Sequence, residues 1–117
     1  MTRFVADTPA AVLRAHVQRF NAAVGSGDFS EMLAGFAADA EMSFEGIPVG
    51  PYAGRDAIAE AYARRPPDDE VVLLGTPRED GDVVDSDYAW ANDGERAGRM
   101  IVTTKDGLIT RLVVTFE

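Results

Sequence analysis

The sequence predicts an α+β domain, with three helices ahead of one antiparallel sheet. Two observations predict it. Up to Arg65, apolar residues recur mainly at helical spacing. From Asp69 onward, four strand-like runs are joined by "REDG", "NDG" and "KDG", each containing Asp-Gly. Asp-Gly favours tight hairpins, so the four runs fold back on one another as a meander. The 117 residues contain no repeat, low-complexity tract or linker, and the expectation is one domain over 1–117.

The first helix starts at "DTPAAV", where Thr8 suits the N-cap and Pro9 the first helical position. Leu13, Val17, Phe20 and Val24 form its apolar stripe, and Gly25–Gly27 end it. Asp28 is placed to cap a second helix, with Glu31 three residues on as the partner of a capping box. In that helix Phe29, Met32, Leu33 and Phe36 repeat at i, i+3, i+4 and i+7. "AEMSFEG" (Ala40–Gly46) alternates as a strand, with Met42 and Phe44 on one face and Glu41, Ser43 and Glu45 on the other. "IPVGPYAG" is too rich in Pro and Gly for a helix and reads as a turn with a short edge strand. Gly54–Arg65 forms the third helix, with Ile58, Ala61 and Tyr62 inward and "RPP" as its stop. The meander strands are Asp69–Pro77, Asp82–Asn92, Glu95–Lys105 and Leu108–Glu117.

Composition excludes several kinds of chemistry. A net charge of −9, from 20 acidic and 11 basic residues, repels polyanions, which argues against nucleic acid and anionic membranes as partners. No apolar run reaches the roughly 18 residues of a membrane span, and the N-terminal stretch has no apolar signal core, so a cytoplasmic location is expected. There is no cysteine, which removes thiol catalysis and disulfides. One histidine cannot build a histidine metal cluster, and "DVVDSDYAW" lacks the frame of a calcium loop. No metal or cofactor is expected.

Three local motifs carry a family resemblance: "HVQRFNAAVGSGDFSEMLAGFAADAEMSFEG", "GPYAGRDAIAEAY" and the closing "KDGLITRLVVTF". In order and spacing they resemble the nuclear transport factor 2-like superfamily, which includes ketosteroid isomerases, SnoaL-type cyclases and limonene epoxide hydrolases. The resemblance implies a cone-shaped, curved sheet wrapped around the helices, an apolar cavity inside, and a homodimer through the outer sheet face. Fold alone does not give function, because the superfamily hosts several chemistries and pure binders.

The resemblance also implies where isomerase chemistry would sit. The oxyanion tyrosine falls on Phe20, the base aspartate on Phe44, and the acidic donor near Met100. All three are apolar, and none is a strong donor or a base. Glu45 becomes a base only if a one-residue bulge turns it inward. Arg99, Asp85 and Asp87, the candidates for an epoxide-hydrolase arrangement, alternate onto the outer face. The SnoaL cyclase pairing of aspartate with a sheet histidine has no counterpart here. His16 lies ~70° from the centre of the first helix's stripe, at the border between core and solvent.

The expected function is therefore binding of a small, largely apolar ligand that is steroid-, polyketide- or terpenoid-like. Phe20, Phe44, Tyr52, Tyr62, Tyr88, Trp90 and Met100 are the candidate lining. One alternative is an isomerase, cyclase or lyase with Glu45 or His16 as general base. Another is a ligand-free dimerisation module whose seam is Ile101, Thr103, Ile109, Val113 and Thr115.

Overall fold

A computed structural model describes residues 8–117. The helices are α1 (Pro9–Ser26), α2 (Ser30–Ala34) and α3 (Arg55–Arg64). The strands are β1 (Phe36–Glu45), β2 (Tyr52–Ala53), β3 (Val71–Asp80), β4 (Val83–Trp90), β5 (Arg96–Lys105) and β6 (Leu108–Thr115).

α1 starts and stops where its sequence dictates. The Thr8 hydroxyl accepts the Ala11 N–H at 3.1 Å, and Gly27 closes the helix in the left-handed region at φ 82°. Leu13, Val17 and Phe20 of its stripe are buried.

α2 departs from expectation. Its carboxylate at Asp28 accepts the Ser30 N–H and hydroxyl at 3.0 and 2.7 Å, while Phe29 occupies the N-cap position without a side-chain cap. The Asp28–Glu31 capping box is not formed. Phe36, expected at the end of this helix, is the first residue of β1 and pairs with Ile109 of β6. The Ile109 N–H donates to the Gly35 carbonyl at 2.9 Å. Sheet hydrogen bonds at that junction replace a second helical turn, so a period read from Phe29 to Phe36 joins two different elements.

The six strands form one sheet in the order β2-β1-β6-β5-β4-β3. β3 to β6 make the expected meander. β1, however, pairs parallel with β6, so the sheet is mixed rather than wholly antiparallel. A parallel pair needs a long crossover, and here the chain from β1 to β6 runs through β2, α3 and the first three meander strands. The inner face brings Met42, Val84, Tyr88, Val102 and Leu112 against Leu13 of α1 and Ile58 of α3, all of them buried.

Two irregularities decide which side chains face inward. Thr103 lies opposite Arg111, but Thr104 lies opposite Ile109, so β6 carries one extra residue there. Such a bulge exchanges the two faces. Ile109 is 1% exposed in the core, which removes it from the outer-face seam that strict alternation assigned. The second irregularity is the close approach at Gly98. A Cβ on Gly98 would fall on the Thr115 carbonyl. That carbonyl accepts the Tyr88 hydroxyl at 3.0 Å, so the missing side chain lets the end of β6 close over the core.

Candidate functional site

α3, β1, β2 and the loop between the two strands frame a cavity of about 440 Å³ that opens to solvent. Its existence follows from residue size. Ala57, Glu60, Ala61 and Arg64 recur at i, i+3, i+4 and i+7 on one face of α3, and the two alanines leave room that larger side chains would fill. Ile58, on another face of the helix, is fully buried in the core. The loop turns away from β1 at Gly46, where φ is 98° and the Phe116 carbonyl occupies the space a Cβ would need.

The walls are mainly aromatic and apolar. Phe44 meets Tyr52 edge to face with ring centres 6.4 Å apart, and Phe116 at 6.2 Å. Tyr62 stacks on Phe29 at 5.1 Å and meets Phe20 at 6.4 Å. Among the described residues, the Tyr62 hydroxyl donates only to the Met42 thioether, at 3.7 Å. Sulfur is a weak acceptor, so this hydroxyl retains most of its capacity to donate. Burial pushes the phenol above its ordinary range, which keeps it protonated. Glu60 and Arg64, paired at 3.2 Å, stand at the rim with Arg65. That pair is solvent-exposed and is worth little to stability.

Of the residues expected to line a pocket, Phe44, Tyr52 and Tyr62 do so together. Phe20 backs the wall through Tyr62. Tyr88, Trp90 and Met100 lie away from this cavity: Tyr88 and Met100 are buried in the core, and Trp90 packs against it partly buried. Tyr88 is fully buried and edge-on to Trp90 at 5.9 Å, and its phenol is raised to about 12, chiefly by burial and then by Glu117. Met42, Val49, Ala57 and Ala61 also line the cavity and were not among the expected residues. Met42 was visible as the partner of Phe44 in strand alternation. The alanine face of α3 was legible only as spacing, because nothing in a single helix says which face will be left unfilled.

Glu45 is exposed. β1 and β6 stay in register without a slip from Glu41 to Glu45, so no bulge intervenes and Glu45 shares the outer face with Glu41 and Ser43. His16 is not a border residue. It is 4% exposed, because the α2–β1 junction covers that flank of α1 and sets Phe36 edge-on to the imidazole at 5.5 Å. Its Nδ1 is buried without a hydrogen-bond partner among the described residues. Burial, then the Arg19 charge, lowers its pKa to about 4, so it is neutral at pH 7. Neither Glu45 nor His16 lines the cavity beside Tyr62.

The outer face of the sheet carries an ionic lattice. Arg78 reaches Asp85 at 2.7 Å and Asp87 at 3.4 Å, Arg96 reaches Asp87 at 3.4 Å and Glu117 at 3.0 Å, and Arg99 reaches Asp85 at 3.5 Å. Arg99 thus answers Asp85, and Asp87 answers Arg78 and Arg96, across strands on the face that alternation gave them. Among the described residues, no group of three or more His, Asp or Glu side chains is placed to hold a metal ion, and no helix is long and apolar enough to cross a membrane.

Known proteins show the same architecture. A nuclear transport factor 2-like protein of unknown function from Cytophaga hutchinsonii is 19% identical, with 100% of this chain and 95% of that one covered at a TM-score of 0.69. A candidate polyketide cyclase from Xanthomonas campestris is 21% identical, with coverage of 94% and 93% and a TM-score of 0.63. A computationally designed 17-OHP binder is 19% identical, with coverage of 94% and 92% and a TM-score of 0.70. At such identities the likeness establishes the fold alone. A comparison with curated proteins finds no match. The sequence profile of the SnoaL-like domain matches residues 17–112, most of the chain, and with the cone-like α+β architecture it places this protein in the SnoaL-like family of the nuclear transport factor 2-like fold.

Proposed function

We propose that this chain binds a small, largely apolar molecule, steroid-, polyketide- or terpenoid-like, in the cavity between α3, β1 and β2. The observation that carries this reading is the Tyr62 hydroxyl, set in an apolar aromatic wall with only a thioether as its acceptor. Such a pocket takes up an apolar body and orients it through a few polar groups. A ligand ketone or other carbonyl oxygen completes the hydrogen bond that Met42 makes poorly.

By the resemblance, the isomerase positions fall on Phe20, Phe44 and near Met100, and the described cavity wall has no imidazole and a carboxylate only at its rim, Glu60. The reading is accordingly one of binding. Calorimetry with a steroid or terpenoid ketone tests it. Tyr62→Phe is expected to weaken the ketone by about three- to tenfold, the worth of one net hydrogen bond. The same variant leaves the analogue without the oxygen unchanged. Absence of binding to the wild type, or an indifferent Tyr62→Phe, overturns the reading.

A homodimer through the outer sheet face forms part of this proposal. Ile101 and Val113 pair there, Ile101 half-buried and Val113 buried within the chain, bordered by the arginine–carboxylate lattice. An isologous contact places each such patch on its own copy. Ile101→Arg puts a charge on its more exposed member and is expected to halve the mass seen by sedimentation equilibrium. A dimer that persists in Ile101→Arg rules out this seam.

A further inference from the structure

The flank of α1 that carries His16 borders a second cavity, of about 280 Å³. Val12 and Ala15 of α1, Met32 of α2 and Ile109 of β6 give it apolar walls, and it closes at Gly35 and Gly107. It shares no residue with the cavity beside Tyr62. Its two titratable lining groups are His16 and Arg19.

Three features of these groups point to an anion. Among the described residues, no carboxylate lines this cavity. Arg19 forms no ion pair among the described residues. Its guanidinium lies over the α2–β1 turn, with one terminal nitrogen 3.0 Å from where a Cβ on Gly35 would stand, so a glycine there gives the arginine its place. Beside it, the buried His16 imidazole lines the same cavity. At about 280 Å³ the cavity falls just below the roughly 300–1,000 Å³ of drug-sized pockets and suits a small occupant.

We propose that this cavity binds a small monocarboxylate with a short apolar body, its carboxylate on the Arg19 guanidinium beside the His16 imidazole and its body against Val12, Met32 and Ile109. The planar guanidinium fork matches a carboxylate in geometry and charge. The apolar walls favour an alkyl or aryl group over a bare inorganic anion.

His16 is the single histidine of the chain, so its ring C–H signals in an NMR spectrum are unambiguous. Butyrate and benzoate are titrated into the full chain at neutral pH, with butyramide and inorganic phosphate as comparisons. The expected result is a saturable movement of the His16 signals with both carboxylates and a much weaker one with butyramide and phosphate. Arg19→Gln is expected to weaken the carboxylates by about tenfold or more, the worth of a hydrogen bond to a charged group. Arg19 is exposed, so that variant leaves the core intact. Tyr62→Phe, in the other cavity, leaves the titration unchanged. No saturable movement, or an equal response in Arg19→Gln, overturns the proposal. Phosphate binding as tightly as butyrate overturns the role of the apolar walls.

Discussion

Phe36→Ala is expected to destabilise the protein by about 4 kcal/mol, the cost typical of truncating a fully buried phenylalanine. The side chain is 0% exposed, and its ring meets the His16 imidazole at 5.5 Å. The residue opens β1 and pairs with Ile109, at the point where the only parallel pairing of the described sheet begins. Truncation removes the ring from the junction that covers α1 and leaves a void next to an existing cavity, and such a void collapses only in part. Phe36→Leu keeps most of the volume and is expected to cost about 1 kcal/mol. Urea denaturation of the two variants measures both. A cost for Phe36→Ala below that expected for Phe36→Leu contradicts the placement of Phe36 at the strand start.

Stability is expected to fall as pH is lowered from about 6.5 to about 4, and His16 is the cause that can be isolated. The histidine pKa is lowered from 6.5 to about 4 in the folded chain, by burial first and Arg19 second. The unfolded chain therefore binds a proton that the native chain refuses within that window. Stability from the neutral imidazole is complete above 6.5, declines as pH falls through the window, and is gone below about 4. Over the whole window the loss is about 3 kcal/mol. Asp87, held low by Arg96, and Glu117, held low by Thr115 and Arg96, also lose stabilisation as pH falls, in the same direction. His16→Gln keeps those carboxylates and removes the imidazole. Urea midpoints measured at pH 7 and pH 5 separate the two contributions. The wild type should lose clearly more stability than His16→Gln between these pH values, and equal losses contradict the burial of the imidazole.

Much of this architecture was legible in the sequence because its signals are local. Thr8 and Pro9 start α1, Gly27 ends it, and each Asp-Gly lies in a hairpin of the meander. What was misread depends on pairing between distant segments. Phe36 has the right spacing for a helix and the right partner for a strand, and the partner, Ile109, is remote in sequence. Ile109 itself turns inward because β6 carries an extra residue opposite Thr103 and Thr104, a bulge with no marker in "GLITRLVV". The site was legible to a similar extent. Phe44, Tyr52 and Tyr62 converge on one cavity, whereas Tyr88 and Met100 are buried in the core and Trp90 packs against it partly buried. Aromatic content distinguishes neither use, since both call for large rings with occasional polar tips. The difference is made by Ala57 and Ala61, small residues whose importance lies in the space they leave.

Methionine methyl NMR tests the central claim most directly. Met42 lines the cavity beside Tyr62, Met32 lines the cavity beside Arg19, and Met100 lies in the core away from both. Titration of a steroid or terpenoid ketone into methyl-labelled protein is predicted to move the Met42 signal saturably and to leave Met32 in place. A saturable movement of Met32 or Met100 without Met42, or no movement of any of the three, would contradict an apolar ligand site between α3, β1 and β2.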